Sequence, residues 1–486
     1  MSKKIIYLLS LLMALSLVFA SCKKNAAGTG DLTPPPVDNE TGKEDANQDT
    51  GLFEDYNKIP VSGAIKEYEV FQNTGRDTYR NPVVVSVGNG VVFAFGELRY
   101  ETPGAANDVG INGENTVDIV YKSSQNSGYD WDSQLKYVGG QAGSKENAHG
   151  APNVFLLNNN KIVVVATAGG GIGRTAYKVG ETGKVESRVE YIFGTISGTE
   201  ISWGKWTEVQ LSSSKIIDEI KKVKAATGRE EVFNQYGTAP GRGVVLNSGS
   251  NILLSLVVAN QGSTKTEADI RELMGRYVLK GTVAGNTITW EAVEGQPIAY
   301  TTQNVTLGPW KETQLYGGTD TEPKFFVVPS PWAPSSVKNL KLGRAKGKNQ
   351  TPTATSIVAS EGAAGYVDLT GKWFGKNTYN PKDPKNGGNY SILTHVQETG
   401  ANLAMYVLDN ASDNFDVKGT WKVSIPDVTG TAAKSSSIDV LPDGTIIAGF
   451  EFGRPAEVPE GFDSGKLYKV FFARYSQAYI ANKTGN

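Results

Sequence analysis

Short β-type runs that fold back on themselves recur along this chain, and no other feature narrows its fold as far. VVVSVGNGVVFAF, NVFLLNNNKIVVVAT, GVVLNSGSNILLSLVVA, SSIDVLPDGTIIAGFEF and KLYKVFFARY are rich in β-branched and aromatic residues. Each reads as two such segments across a turn such as GNG, NNNK, NSGSN or PDG. Asn and Gly accept the positive φ that tight hairpin turns require, so these are hairpin signals. They return at intervals of roughly 50–90 residues, more than a simple sandwich needs; a repeated four-stranded sheet at that period is the unit of a β-propeller. A second repeat agrees. YIFGTISGTEISWGKW (191–206) matches YVLKGTVAGNTITWEAV (277–293), both reading strand, Gly turn, strand with Trp. SSQNSGYDW (123–131) and SEGAAGYVDLTGKW (360–373) share a looser Ser, Gly-turn, Trp form. In such a turn side chains close the hairpin on the backbone and the Trp covers the corner.

Helix is scarce in this pattern. Ile216, Ile217, Ile220 and Val223 stand at helical spacing within 214–226, with Gly228 as a stop. Thr264-x-x-Glu267 is a capping-box pattern opening a short helix through Met274.

The chain opens MSKKIIYLLSLLMALSLVFASC. Lys3 and Lys4 precede an apolar run from Ile5 to Ala20, short against the ~20 residues of a membrane span. Small residues directly before Cys22 are the pattern of a bacterial lipoprotein signal, and Cys22 is the only cysteine. An ordinary signal peptide or anchor is the alternative. With one cysteine, no disulfide forms within the chain. The expected organisation is a signal peptide over 1–21, a polar, Pro-containing tether over 22–60 and one folded unit over 61–486. About 35 flexible residues reach roughly 30 Å, enough to hold a domain clear of a membrane. Lipidation at Cys22 implies a place in the cell envelope, at the outer membrane or cell surface, since Lys23 stands where an inner-membrane retention Asp would be.

Net charge is −2 with both signs interspersed, which gives no electrostatic case for nucleic acid. His149 and His395 are the two histidines and stand apart, so neither a zinc site nor a Ser/His/Asp triad is expected. AGGGIGRT (168–175) lacks the G-x-G-x-x-G spacing, and GRAKGKN (343–349) has Asn where a Walker loop has Ser or Thr. No cofactor is expected.

TYRNP (78–82), then VVSVGNGVVFAFGELR, then VDIVYKSSQNSGYDW, resembles the first blade of bacterial sialidases (neuraminidases). That family opens Arg-Ile-Pro, closes the hairpin with Ala-Phe-x-Glu-x-Arg and carries Asp-box repeats. Here Asn81 replaces the Ile and Gln125 the box Asp. GTAPGRGVVL (237–246), WKETQLY (310–316), SSSIDVLPDGTIIAGFE and LYKVFFARYSQAYI continue the resemblance in order, over roughly residues 65 to 481. The resemblance implies an all-β, six-bladed propeller, monomeric, with its site at one central end.

It also implies roles. In the family three Arg side chains grip a sialic acid carboxylate through paired, charge-assisted bonds. An Asp acts as acid/base, and a Tyr activated by a Glu is the nucleophile, an exception among glycosidases. Arg80 matches the first Arg. Arg99, which closes the first hairpin, and Arg242 are assigned to substrate binding. Asp108, in the loop 100–117, matches the acid/base and Glu312 the base. The second Arg is missing from FFVVPSPW (325–332), and Gly400 and Ala401 stand where the third is expected. Arg344 and Arg454 are further replacements. Alignment on LPDG puts Ser435 at the Tyr position, whereas NYSILT makes Tyr390 the nucleophile candidate one blade early. Each assignment has a structural alternative: a strand-end charge for Arg80, a turn Asp for Asp108, a strand aromatic for Tyr390.

The expected function is therefore a surface-anchored exo-α-sialidase acting on sialylated glycans or glycoproteins. The alternatives are a sialidase-fold lipoprotein that binds glycan or host protein without chemistry, and a related propeller hydrolase acting on another sugar.

Overall fold

A computed structural model of the chain describes residues 68–71, 77–100, 116–142, 144–158, 160–171, 187–210, 235–259, 274–293, 298–299, 310–329, 341–346, 353–358, 362–373, 388–397, 402–410, 415–423, 433–441, 444–452 and 469–485. The signal and tether assigned from sequence, Cys22 and Asp108 lie outside them, as do the helix expected over 214–226 and most of the one opening at Thr264. Met274, expected to close that second helix, instead opens a strand.

The described residues form a six-bladed β-propeller. Strand β1 (Tyr68–Phe71) is set aside for the last blade. Blade 1 is β2 (Thr78–Gly88), β3 (Val91–Arg99), β4 (Val117–Ser124) and β5 (Lys136–Tyr137). Blade 2 is β6 (His149–Asn158), β7 (Lys161–Gly169), β8 (Ser187–Ser197), β9 (Glu200–Trp203) and β10 (Thr207–Glu208). Blade 3 is β11 (Gln235–Thr238), β13 (Val244–Leu246), β14 (Asn251–Ala259), β15 (Met274–Ala284), β16 (Thr287–Ala292) and β17 (Ile298–Ala299); between β11 and β13, β12 (Gly241–Arg242) leaves to pair in parallel with β6. Blade 4 is β18 (Trp310–Gly318), β19 (Pro323–Pro329), β20 (Lys341–Lys346) and β21 (Thr353–Val358). Blade 5 is β22 (Gly365–Asp368), β23 (Tyr390–Gln397), β24 (Asn402–Asp409) and β25 (Asp416–Val423). Blade 6 is β26 (Ala433–Val440), β27 (Ile446–Phe452) and β28 (Lys469–Tyr475), with β1 as its outer strand. Helix α1 (Gln477–Thr484) follows, capped by the Ser476 side chain and ended by Gly485 in the left-handed region.

The core is the set of seams between blades. Val83, Phe93 and Phe95 of blade 1 meet Val154, Val164 and Ile192 of blade 2. Phe155 and Tyr191 meet Leu254 and Tyr277 across the next seam. Four further clusters close the ring in the same way. Because both faces of a blade are covered, its middle strands are apolar on alternate and intervening positions alike, as in β3, buried throughout.

Turn chemistry follows the sequence. Asn89 and Gly90 both take positive φ in the first hairpin. In SSQNSGYDW the Ser124 hydroxyl accepts from the Gly128 N–H and the Asn126 side chain from the Asp130 N–H. Trp131 then packs on Phe472 of blade 6, 5.5 Å away. The matched repeat of blades 2 and 3 is a Gly facing a Trp: Gly194 pairs with Trp203 and Gly281 with Trp290, and both turns use a Gly at φ 59. Two readings differ from the structure. Residues 365–368 of SEGAAGYVDLTGKW are the inner strand of blade 5 and not a second Trp-covered hairpin. The described residues of KLYKVFFARY, 469–475, form one strand, β28, and no turn.

Candidate functional site at one end of the ring

The inner strands are β2, β6, β11, β18, β22 and β26, and around the axis β2 lies against β26 and β6, and β22 against β26. They run in one sense: Asn81 lies beside Ser435, Val84 beside Ser437 and Ser86 beside Asp439. Ala363 likewise meets Ser435, and Gly365 meets Ser436. The ring therefore has a start end, where inner strands begin, and a finish end.

Arg80 is at the start end, on β2. Its Nε donates to Glu451 Oε1 of β27, while the Asn81 backbone N–H donates to Glu451 Oε2 at 2.7 Å. Asn81 itself sits at φ 51, a conformation Asn tolerates better than the Ile of the family pattern. Its amide donates to Glu97 Oε1 at 2.8 Å, and its carbonyl oxygen accepts from the Ser435 hydroxyl at 3.2 Å. Glu97 also accepts from the Ala151 N–H of blade 2 and from Arg99 Nε (2.8 Å) and Nη2 (2.5 Å). One carboxylate thus ties β2, β3 and β6 together. The carboxylates are sealed and the cations are not: Glu451 and Glu97 side chains are 0% exposed, Arg80 16% and Arg99 7%. The cluster is neutral in count, yet what it presents to solvent is guanidinium.

Beside it, the Tyr100 hydroxyl donates to Asp118 Oδ2 at 2.7 Å, and the Ala142 N–H donates to Oδ1 at 2.8 Å. Burial pushes the Asp118 carboxyl up, against the lowering pull of those two donors. Burial and the neighbouring carboxylate push the Tyr100 phenol well up. The phenol is thus held protonated and donates to a carboxylate of raised proton affinity. Further along, His149 Nε2 lies 2.8 Å from Glu190 Oε2, and its ring stacks on Trp206 at 3.8 Å.

The other assigned residues fall elsewhere or are only partly described. Glu312 is the third residue of inner strand β18; its side chain is outside the described part of the structure. Ser435, at the aligned Tyr position, is buried beside Asn81 and accepts from the Ala363 N–H at 3.3 Å. Tyr390 begins β23, whose residue Ser391 pairs with Asp368 at the finish end of β22. It packs on Trp373, ring centroids 6.0 Å apart, and is not brought to Arg80. Arg242 is not either. Its Nε lies 3.4 Å from Asp439 Oδ2, the atom that accepts from Ser86 N, six residues along β2 from Arg80. At about 3.3 Å per residue that is on the order of 20 Å away. Arg344 is on β20, third from the axis, and Arg454 is outside the described residues.

Glu451 and the Tyr100–Asp118 pair were not assigned from sequence. Glu451 had a signal in GFEF, an acidic residue inside an apolar strand, which demands a partner when buried.

No family model matches the chain, and no curated protein matches its sequence. Solved structures do match. Trypanosoma rangeli sialidase in complex with the inhibitor DANA superposes with a TM-score of 0.54 at 14% identity, over 85% of this chain and 60% of that one. The same sialidase in complex with sialic acid gives 0.53 at 13% identity, over 86% and 59%. Hadza microbial sialidase Hz136 gives 0.53 at 11%, over 82% and 66%. The chain thus spans about three fifths of the length of the Trypanosoma enzyme. At these identities the likeness is one of fold: the chain is a β-propeller with the sialidase fold.

Proposed function

We propose that this chain is a sialidase-fold receptor for terminal sialic acid, held at the cell envelope by lipid on Cys22. The observation that carries the reading is the Arg80 guanidinium, fastened to a fully buried Glu451 and itself part-exposed at the start end of the ring. A cation fixed in this way needs no reordering to grip a carboxylate, and Arg99 on Glu97 gives a second one nearby. At the aligned nucleophile position stands a buried Ser, whose alcohol is far less acidic than a phenol and so is harder to activate for attack and harder to expel afterwards, which favours holding over cleavage.

Exo-α-sialidase activity is the second reading. It is favoured by the Tyr100–Asp118 pair at the same end and by Glu312 on inner strand β18.

Binding of N-acetylneuraminic acid and turnover of a fluorogenic sialoside, measured on the same full-length protein, test both. The receptor reading expects binding that Arg80→Ala weakens about tenfold or more, with no turnover. Turnover lost in Tyr100→Phe and Glu312→Gln would establish the enzyme instead. Absence of both binding and turnover in folded protein would overturn the two together.

A further inference from the structure

At the finish end of the ring the inner strands enclose a cavity of about 370 Å³, within the size range of small-ligand sites. It is separate from the Arg80 cluster: its walls come from β12, β13, β18, β19, β22 and residues 437–439 of β26. One wall is aromatic. Tyr316 stacks on Phe326 with centroids 4.1 Å apart and meets Tyr366 at 4.9 Å, and both tyrosines are part-exposed. The other wall is polar and holds Arg242, Asp439 and Asp368. Arg242 leans on Asp439 at 3.4 Å, and its Nη1 is buried with no hydrogen-bond partner among the described residues. Asp368 is exposed at the rim.

We infer that this cavity is a second saccharide site, one that takes a neutral sugar. An apolar ring wall facing fixed hydrogen-bonding groups suits a pyranose, whose C–H face lies on aromatic rings while its hydroxyls meet charged donors and acceptors. The formal charge of the polar wall is one cation against two carboxylates, so an acidic sugar is disfavoured. The inference goes beyond sialic acid recognition at the start end and gives the propeller opposite chemical preferences at its two ends.

Saturation-transfer NMR on the full-length protein with the methyl glycosides of galactose, glucose, mannose and N-acetylglucosamine tests it. At least one is expected to bind through its ring C–H face. A Cβ at Gly317, which lines the cavity, meets nothing within 4 Å, so a side chain can leave the backbone there without a clash and Gly317→Trp is the variant chosen to fill the space. That variant should weaken binding about tenfold or more at unchanged thermal stability, whereas Arg80→Ala leaves it within about twofold. Asp368→Asn, at the exposed rim, should weaken it severalfold and stands in if Gly317→Trp does not fold. Failure of all four glycosides to bind would overturn the inference. So would binding indifferent to both finish-end variants, or displacement of the bound glycoside by N-acetylneuraminic acid in Arg80→Ala. Loss of sialic acid binding in Arg80→Ala reports on the other site alone.

Discussion

Replacing Glu97 by Gln should be among the most damaging isosteric changes in this protein. All four recorded partners of Glu97 are donors: the Asn81 amide and Ala151 N–H on one oxygen, Arg99 Nε and Nη2 on the other. A Gln keeps the shape but must turn its NH2 toward one pair, so donors face donors whichever way it flips. Two bonds to a charged acceptor are lost, and Arg99, 7% exposed, loses the charge of Glu97. Hydrogen bonds to charged groups contribute about 1.5–3 kcal/mol each, and breaking a buried pair costs about 3–5 kcal/mol. These figures describe the same loss and are not summed, so we expect about 3–5 kcal/mol. Urea unfolding followed by Trp fluorescence and by circular dichroism reads it, provided the two transitions coincide. A Glu97→Gln variant within about 1 kcal/mol of wild type would refute the reasoning, because it would mean this carboxylate does not hold β2, β3 and β6 together.

The remaining predictions concern packing and pH. Gly194→Ala and Gly281→Ala should destabilise alike, by about 1–3 kcal/mol each, since the new Cβ meets Ile201 Cγ2 at 2.5 Å in one and Ile288 Cγ2 at 2.6 Å in the other. Unequal effects in urea unfolding would show that the repeat is not a shared packing device. Burial opposes the charge on Glu190, but hydrogen bonds from His149 and Arg188 outweigh it and hold its carboxyl below the ordinary 4.5. A lowered carboxyl stabilises above the unfolded value, so Glu190→Gln should be less stable at neutral pH. The deficit should shrink as pH falls from about 4.5 through the lower folded value, as read by unfolding midpoints across pH. Asp118 has the opposite sign. Burial raises its carboxyl, so the folded state binds that proton more tightly than the unfolded one. Wild type should gain on Asp118→Asn as pH falls through the raised value, levelling off below about 3.8.

What sequence reading reached was local. GNG, SSQNSGYDW and the paired Gly–Trp hairpins act within a dozen residues, and each of these turns is built from the residues that advertised it. Ser435 could be placed because LPDG fixes the register of β26 on β27. The site depends on longer range. Arg80 and Glu451 are 371 residues apart, and nothing near TYRNP announces a carboxylate from the last blade. Tyr390 shows a different blind spot. NYSILT has a plausible composition, but it begins the second strand of its blade, and antiparallel strands start at opposite ends of the ring. Arg242 misleads for a related reason: β12 leaves blade 3 to lie along β6, which carries the side chain toward the finish end.

The last blade has a consequence for how the protein is made. Its outer strand, β1, is the first described segment of the chain, and its partner, β28, is nearly the last: Tyr68 lies opposite Phe472. Closing a loop of roughly 400 residues costs about 5 kcal/mol in chain entropy. No part of that is recovered until Lys469–Tyr475 has been made. A ribosome-bound or export-bound chain therefore carries five blades whose ring cannot shut, with the apolar faces of β2 and its neighbours waiting for blade 6. Truncation before Lys469 leaves β1 and β27 without β28 between them, so closure of the ring reports that this strand has been made.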